Sequence, residues 1–528
     1  MAQTRCESPI YHFHGGLTLK HNKKMSLGLE ILSLPLPDEI VLPLIQHRGS
    51  AAEPVIEVGD KVLKGQLIAE PGPGLSAAIH ASTSGTVKAI EERILAHASG
   101  LTTTSIVIQP DNKDQWIALE DNPGWQQQDP KLLADAVIAS GITGLGGAVF
   151  PTHTKLHPSK AIHTVILNGA ECEPYISCDE ALMLERAHAI LQGGQVLMHI
   201  LGASQCIVAI EDPMESVCKA MNDALTTLND ESLRLVRVPT IYPEGGEKQL
   251  IEVLLNQQVP RGGIPMDLGL VVQNVATAAA VRDYILHSIP LTERIVTVSG
   301  EGVAQPANYR VPLGVTAAYM IQAAGGYTSQ NTEVIIGGPM MGFSIPDDNI
   351  SLTKACNCVL VLEKAEKPAQ GTMPCIRCGS CATACPAQLL PQELYWNIQG
   401  HDYTRANGLG LMDCIECGCC AYVCPSHIPL VDYYRFGKAQ LRLEAKQKIK
   451  ADHARQRHED MEARKEREKA ERAAKAAARK AALKARSKGE IADAVARVKA
   501  KKTAPKEIEP KVQETAATAT DNSKADNE

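Results

Sequence analysis

The sequence predicts a chain of several domains that combines α/β architecture with small β domains, a helical cysteine-rich domain and a basic tail. Three observations predict this fold class. A length of 528 residues exceeds one domain, at about 150 residues per domain. Short β-branched runs between Gly and Asp turns fill the N-terminal part, and buried-strand runs alternate with helical patterns further on. Half of the 16 cysteines fall in one doubled motif.

These patterns divide the chain into six predicted segments. They are a lead-in at 1–40, a barrel-sandwich-like β module at 41–125, an α/β domain at 126–290, a β-grasp-like unit at 291–350, a helical cluster domain at 351–440 and an Ala/Lys/Arg/Glu-rich tail at 441–528. The β module is similar to lipoyl and biotinyl carrier domains, which modify a lysine at a hairpin tip. No lysine lies between Pro71 and Thr86, so we interpret the module as a docking unit.

The cysteine motif occurs twice, each time as C-x2-C-x2-C-x3-C-P, the run that binds cubane clusters in two-cluster ferredoxins. In that arrangement the fourth cysteine of each run binds the other cluster. The predicted ligands of one [4Fe–4S] cluster are Cys375, Cys378, Cys381 and Cys424. Those of the second are Cys414, Cys417, Cys420 and Cys385. Structural zinc prefers two separate C-x2-C knuckles, and a disulfide framework is not needed in a chain this long.

Three other cysteines near the motif are predicted not to be ligands. Cys419 leaves the spacing intact, so we interpret it as a buried thiol beside a cluster. Cys356 and Cys358 precede the motif, and we expect them to be buried structure near the cluster. The stretch 391–409 between the two runs is helical in character.

Polar residues follow the apolar runs of the α/β domain, where open sheets bind ligands. A glycine-rich loop that contains Gly146 and Gly147 lets backbone amides approach an anion, and Lys155 is suited to neutralise a phosphate. Glu171 and Glu173 follow the strand run at 164–167. For these two carboxylates, capping of the next helix and a role in binding are equally good interpretations.

Charge is spread unevenly along the chain. Residues 441–502 contain 21 Lys and Arg against 10 Asp and Glu, whereas residues 1–440 carry a net charge of −15. We expect the tail to be a long solvated helix or partly disordered, and its last 25 or so residues to be disordered. A basic helix without an aromatic or Leu face favours a solvated spacer over a membrane-binding segment.

The sequence contains no run of about 18 apolar residues, and the best candidate, 268–281, is interrupted by Gln273 and Asn274. We therefore expect a peripheral protein if a membrane is involved. The polar start is not typical of a signal peptide, and a thiolate-rich site indicates a reducing, cytoplasmic compartment.

Over about residues 40–440 the chain resembles the C subunit of the Rnf ion-translocating electron-transport complex. Its middle is similar to the flavin-binding 51-kDa subunit of respiratory complex I and to related diaphorase subunits. The resemblance depends on stretches in family order: Gly-Gly-Ala-Val-Phe-Pro-Thr-His-Thr-Lys, Asn-Gly-Ala-Glu-Cys-Glu-Pro, Gly-Gly-Glu-Lys, Asn-Val-Ala-Thr and the doubled cysteine run.

The resemblance implies an FMN site in the α/β domain. The residues implied for the flavin phosphate are Gly146, Gly147 and Lys155. Those implied along the flavin or around its pocket are Asn168, Glu171, Gly246, Glu247, Asn274 and Thr277.

The resemblance also implies an NADH site over the flavin. Glu173 would face the nicotinamide nucleotide, and Phe150 would stack near the adenine or the flavin. Diaphorases commonly have Arg, Gly and Glu where this chain has Leu145, Val149 and Lys248, so its NADH site departs from theirs.

The implied function is electron transfer from NADH through FMN and two [4Fe–4S] clusters to a partner. Implied partners are other subunits of a membrane complex and ferredoxin or an iron–sulfur subunit, with no nucleic acid. The implied location is peripheral, at the cytoplasmic face of the inner membrane. Two alternatives remain open: a cluster-bearing relay and docking subunit without NADH chemistry, and a soluble diaphorase subunit.

Overall fold

A computed structural model describes residues 6–7, 11–28, 30–364 and 371–502. The chain divides after Leu441 into two compact units. The stretch 503–528, which we predicted to be disordered, lies outside the described residues.

The N-terminal β module consists of two small antiparallel sheets. One has the strand order Ile40–Pro43, Thr102–Pro110, Gly85–Ile94 and Lys61–Val62, and the other Glu53–Pro54, Leu67–Glu70 and Ile79–His80. Its core contains the fully buried side chains Ile40, Leu42, Ile106 and Ile108, which lie on paired strands. The predicted short strands with Gly turns are thus confirmed.

The α/β domain is built on a five-stranded sheet whose strands are all parallel. The strand order is Cys6–Glu7, Leu233–Val238, Gln205–Glu211, Thr164–Gly169 and Leu270–Asn274. The helices of the domain are Pro130–Ala139, Cys178–Leu201, Glu215–Leu228, Glu247–Leu255 and Val275–His287. The near-continuous apolar runs of its central strands fit a sheet that is covered on both faces.

A six-stranded mixed sheet forms the β-grasp-like unit. Its order is Phe343–Ser344, Thr332–Ile336, Cys358–Glu363, Glu293–Ser299, Ala307–Pro312 and Leu32–Ser33, and the helix Ala317–Ala323 belongs to the same unit. The predicted boundaries at residues 40 and 350 divide this sheet, because a lead-in strand pairs with one edge and Cys358–Glu363 lies inside it. Cys356 and Cys358 are both fully buried, as expected, and Cys358 is the first residue of a strand inside this sheet.

Short helices and one long helix form the cysteine-rich region. The short helices are Ser380–Thr383, Pro391–Gln399, Tyr403–Gly408 and Cys419–Tyr422, and the long one is Leu430–Lys501. The 3₁₀ helices of the chain are Lys23–Met25, Trp125–Gln127, Thr152–Lys155, Pro265–Leu268 and Leu411–Asp413. The predicted helical insert between the cysteine runs is present as two helices. The second begins after Asp402, whose side chain caps it. Among the described helices none is long and apolar enough to cross a membrane.

One buried lysine joins three parts of the larger unit. Lys354 is fully buried, and its Nζ donates to the carbonyl oxygens of Ala78 (2.6 Å) and Gly141 (2.7 Å). Ala78 belongs to the β module and Gly141 to the α/β domain. Burial lowers the pKa of Lys354 to about 7.

This pKa makes stability depend on pH. Between pH 7 and 10 the unfolded chain binds a proton at Lys354 that the folded chain lacks, so stability rises with pH across this window, by at most about 1.4 kcal/mol per unit. We expect the thermal unfolding midpoint of Lys354→Met minus that of wild type to decrease as pH rises. The exposed Lys88→Met is the control and should show a constant offset. A constant offset for Lys354→Met would contradict the low pKa.

Candidate functional site

Two asparagines mark the carboxyl edge of the parallel sheet. Asn168 and Asn274 are register partners on neighbouring strands. From the strand Thr164–Gly169 the chain first adds strands on one side and later returns to place Leu270–Asn274 on the other. Ligands bind at such a switch point in open α/β sheets. The crevice outside Asn168 and Asn274 is therefore the candidate binding site.

The glycine-rich loop lies over the N-terminus of the helix Val275–His287. The backbone N–H of Leu145 donates to Thr277 Oγ1 at 2.9 Å, and a Cβ on Gly146 would lie 3.2 Å from Asn274 Cβ. Asn274 caps this helix by accepting from the Ala276 N–H at 2.8 Å. A side chain at residue 146 would crowd Asn274, and the helix N-terminus favours an anion nearby.

Gly147 and Val149 give the loop its curvature. Gly147 has φ +105° and Val149 has φ +48°. Left-handed backbone is costly for a β-branched residue, whereas glycine adopts it freely. The departure at Val149 therefore introduces local strain into this loop. Phe150 is half-buried, and its carbonyl accepts from the Gly144 N–H at 2.8 Å, which closes the loop.

Lys155 already has partners beside the crevice. Its Nζ donates to Glu247 Oε1 at 2.8 Å and to the Val272 carbonyl at 3.0 Å. Glu247 is the first residue of a helix whose N-cap is Gly246. Asn168 Nδ2 donates to the Gly245 carbonyl at 2.9 Å, so the turn before this helix is fixed to the strand end.

Glu171 lies at the N-terminus of the helix Cys178–Leu201. Its carboxylate accepts from the Asp179 N–H at 3.0 Å and the Glu180 N–H at 3.3 Å. Lys23 Nζ lies 3.7 Å from the same carboxylate and also donates to the Glu171 carbonyl. Of the two interpretations of Glu171, the structure places it as a helix cap.

Glu173 contacts the β-grasp-like unit. Its carboxylate accepts from the backbone N–H groups of Met340 (3.2 Å) and Met341 (2.9 Å). Burial raises the pKa of Glu173 to about 7. The Met340 carbonyl in turn lies 3.0 Å from where a Cβ on Gly418 would be, inside the second cysteine run. Glu173 therefore holds a turn that packs on the cysteine domain.

Two supporting side chains were not found from the sequence. Arg294 is buried, and its Nη2 donates to the Leu145 carbonyl behind the glycine-rich loop at 3.1 Å. Asp179 accepts from Asn274 Nδ2 at 2.6 Å, and burial, followed by the charge of Glu171, raises its pKa to about 7. Both side chains reach the site from elements distant in sequence, so no local pattern indicates them.

A cavity of ≈ 340 Å³ lies beside the glycine-rich loop. Leu145 and Asp179 form part of its lining, together with Arg186 and Asp283. Arg186 is bonded to Asp283 through both terminal nitrogens, at 2.9 and 2.8 Å. Its cation is thus paired with the Asp283 carboxylate.

The cysteines of the doubled motif line two cavities. One, of ≈ 280 Å³, is lined by Cys375, Cys378, Cys381 and Cys424. The other is lined by Cys385, Cys414, Cys417 and Cys420, with Cys419 in the same wall. None of the 16 cysteines, all of which lie in the described ranges, forms a disulfide. Each cavity therefore brings together the four thiols of one predicted set, three from one run and one from the other, a donor set that suits a [4Fe–4S] cluster.

The two cysteine loops have the same backbone conformation. Arg377 and Glu416 have φ of 59° and 58°, and Gly379 and Gly418 have φ of 82° and 83°. Backbone amides also point at sulfur atoms: the Glu416 N–H donates to Cys414 Sγ at 3.4 Å. Repeated loop geometry and N–H···S contacts are what anionic clusters require.

The two cavities differ in their surroundings. Cys378 is exposed, and its neighbour Ile376 is 67% exposed, so the first set opens to the surface. The second set lies against the α/β domain, where Tyr242 donates to the Cys417 carbonyl at 2.5 Å. Lys438 donates to the Cys414 carbonyl (2.6 Å) and to Glu416 (2.7 Å), which places a buried cation beside this set.

Four family models match this chain. Residues 11–113 match the RnfC barrel sandwich hybrid domain, 137–283 the Nuo51 FMN-binding domain, 295–344 the SLBB domain and 374–428 the 4Fe-4S dicluster domain. The last match and the FMN-binding match confirm the predicted FMN and [4Fe–4S] cofactors. Neither match tests NADH.

Curated relatives share most of the chain. It is 44% identical over 464 residues to the C subunit of the ion-translocating oxidoreductase complex of Pseudomonas aeruginosa, covering 87% of this chain and 60% of the relative. The C subunits from Vibrio cholerae (El Tor Inaba) and Pectobacterium carotovorum are 41% and 42% identical, covering 88% and 87% of this chain and 60% and 62% of the relatives. The chain thus spans about three fifths of these relatives' length.

Solved structures are more distant. A crystal structure of an NAD+-reducing [NiFe]-hydrogenase in the H2-reduced state superposes with a TM-score of 0.41 and 20% identity, over 58% of this chain and 63% of that one. This likeness is too low to carry an argument. The chain matches the RnfC module, the FMN-binding domain and the dicluster domain in succession along its sequence, and it is 41–44% identical to these relatives. The chain therefore belongs to the RnfC family.

Proposed function

We propose that this chain is an electron-transfer subunit of a membrane complex that couples electron transfer to ion translocation. The relatives' name, which assigns them to an ion-translocating oxidoreductase complex, supports this. The observation that carries the proposal is the placement of the two thiol sets, one against the flavin domain and one open to the surface. Such an arrangement suits a path from a flavin through two clusters to a partner protein.

The cofactors divide the chemistry between them. Bound FMN exchanges an electron pair with a nicotinamide and single electrons with [4Fe–4S] clusters, which carry one electron at a time. The protein fixes their positions and tunes their potentials through charge, hydrogen bonds and burial. In this chain the cation of Lys438 stabilises added negative charge at the second thiol set.

We assign the phosphate of FMN to the glycine-rich loop. The amides of Gly146 and Gly147 and the N-terminus of the helix Val275–His287 favour an anion there. Glu247 keeps Lys155 at the crevice, and a phosphate would compete with Glu247 for this ammonium. Asn168, Asn274 and Thr277 complete the pocket by holding the two strand ends and the loop.

NADH is the proposed electron donor, and Phe150 lies at the loop over which it would bind. A second candidate function, a relay subunit without NADH chemistry, is favoured by one observation. Glu173, the residue assigned to the nicotinamide nucleotide, is bonded to Met340 and Met341 instead. The departures at Leu145, Val149 and Lys248 agree with it.

We also propose the partners and the location. Electrons would pass between the surface-exposed thiol set and ferredoxin or an iron–sulfur subunit, in a complex with membrane-embedded subunits. The chain would then lie at the cytoplasmic face of the inner membrane as a peripheral subunit.

Cysteine variants test the crossed ligand sets. We expect Cys375→Ser and Cys424→Ser to remove the same cluster signal in electron paramagnetic resonance spectra, because both thiols line one cavity. Cys414→Ser and Cys385→Ser should remove the other signal, and each variant should lose about half of the iron. Cys419→Ser is the control and should keep both signals. If Cys424→Ser removed the same signal as Cys414→Ser, the crossed assignment would be wrong.

The flavin assignment is tested by Lys155→Met. We expect FMN affinity to fall roughly ten- to a hundredfold, the effect of losing one charge-assisted hydrogen bond. Lys160→Met is a matched control, since Lys160 forms a similar 2.8 Å pair with Asp267 away from the crevice. Titration of the flavin-free chain with FMN measures both. Equal affinities for the two variants would contradict the assignment.

Addition of NADH to the purified, flavin-loaded chain under anaerobic conditions distinguishes the two candidate functions. The electron-transfer proposal expects NADH to bleach the flavin absorbance. Glu173→Gln should change the Michaelis constant for NADH by less than about threefold, since its carboxylate is already bonded to the amides of Met340 and Met341. Flavin that dithionite bleaches and NADH does not would establish the relay function instead.

A further inference from the structure

The helix Leu430–Lys501 changes its charge character near residue 471. Residues 452–471 contain six Lys or Arg and seven Asp or Glu. Ion pairs join Arg455 to Asp452 at 2.9 Å and Arg464 to Glu468 at 3.0 Å. This stretch therefore neutralises its own charge.

The next stretch does not. Residues 472–488 contain seven basic residues and no acidic one: Arg472, Lys475, Arg479, Lys480, Lys484, Arg486 and Lys488. All seven are exposed. Among the described residues, none of these seven side chains forms an ion pair. Seven positive charges over about 25 Å of helix are left without counter-charges.

The basic side chains occupy one broad side of the helix. At about 100° per residue they cover about 220° of its circumference, and the remaining arc contains only alanines: Ala474, Ala478, Ala481, Ala482 and Ala485. Leu483 lies within the basic side and is 60% exposed. The basic side thus combines a dense positive charge with one large apolar side chain, Leu483.

We propose that residues 472–488, which the sequence alone predicted to be a solvated spacer, bind an anionic lipid surface through this basic side. The inference rests on the proposed function for the presence of a membrane. Clusters of four to eight basic residues are attracted to anionic headgroups. Residues 1–440, with a net charge of −15, are repelled by the same surface. Residues 472–488, in contrast, carry seven positive charges and no negative one.

Two features favour lipid over nucleic acid. The stretch contains no aromatic side chain on which a base could stack. Leu483, in contrast, is suited to the boundary between headgroups and acyl chains. One leucine and a face of alanines are too little for hydrophobic insertion, so attachment is mainly electrostatic and should weaken with salt.

The test uses the full-length, cluster-loaded chain and vesicles without partner subunits. Vesicles of phosphatidylcholine alone are compared with vesicles that also contain phosphatidylglycerol, at low and high salt. The variant Lys475→Gln/Arg479→Gln/Lys480→Gln/Lys484→Gln removes four charges of the basic side. The matched control, Arg455→Gln/Arg457→Gln/Arg464→Gln/Arg467→Gln, removes four charges from the self-neutralised stretch of the same helix. Glutamine has a helix propensity close to that of Lys and Arg.

We expect binding only to the phosphatidylglycerol vesicles, reversed by salt. The first variant should lose between about tenfold and a thousandfold in partition coefficient, and the control should remain within about threefold of wild type. Equal losses in the two variants, or equal binding to neutral vesicles, would overturn the proposal. So would tighter binding to an oligonucleotide than to the anionic vesicles. This assay does not require electron transfer. A failure of the lipid-binding proposal can therefore be distinguished from a failure of the proposed electron-transfer function.

Discussion

The flavin domain meets the cysteine domain at a small apolar contact beside the second thiol set, and an ion pair between Arg261 and Asp413 also joins the two. Tyr242, Cys172 and Leu19 pack there against Ala384 and Cys417. The Tyr242 hydroxyl is buried and bonded to the Cys417 carbonyl, so the contact reaches a residue of the second thiol set itself. Because electron transfer slows steeply with separation, the proposed path requires this contact to stay closed. The first thiol set needs no such contact, since it faces the surface.

Glu171 and Glu173, which follow the strand Thr164–Gly169, stabilise the packing of the domains. A buried carboxylate is costly unless it is bonded or paired. Glu171 receives two amides of a helix N-terminus and the ammonium of Lys23, and Glu173 receives the amides of Met340 and Met341. Each carboxylate therefore joins the strand end to another part of the chain. Although the two glutamates are only two residues apart in sequence, they bind different parts of the chain.

Local patterns predicted the parts of this structure that depend on local interactions. Cysteine spacing anticipated how the thiols are grouped, and alternation of apolar runs predicted the parallel sheet. The ends of the apolar runs placed Asn168 and Asn274 at one edge of that sheet. What could not be predicted comes from pairing across long separations: Leu32–Ser33 joins a sheet near residue 310, and Lys23 reaches Glu171. No local periodicity contains such contacts, and this also explains why the boundary at residue 350 cut a sheet.

The order of the two clusters is the central claim, and one measurement tests it most directly. The flavin is reduced photochemically, independently of NADH, and electrons are followed by freeze-quench electron paramagnetic resonance in two variants that each keep one cluster. With the set around Cys375 removed, we expect fast reduction of the remaining cluster. With the set around Cys414 removed, we expect electrons to remain on the flavin. Fast reduction in the second variant and slow reduction in the first would contradict the proposed order.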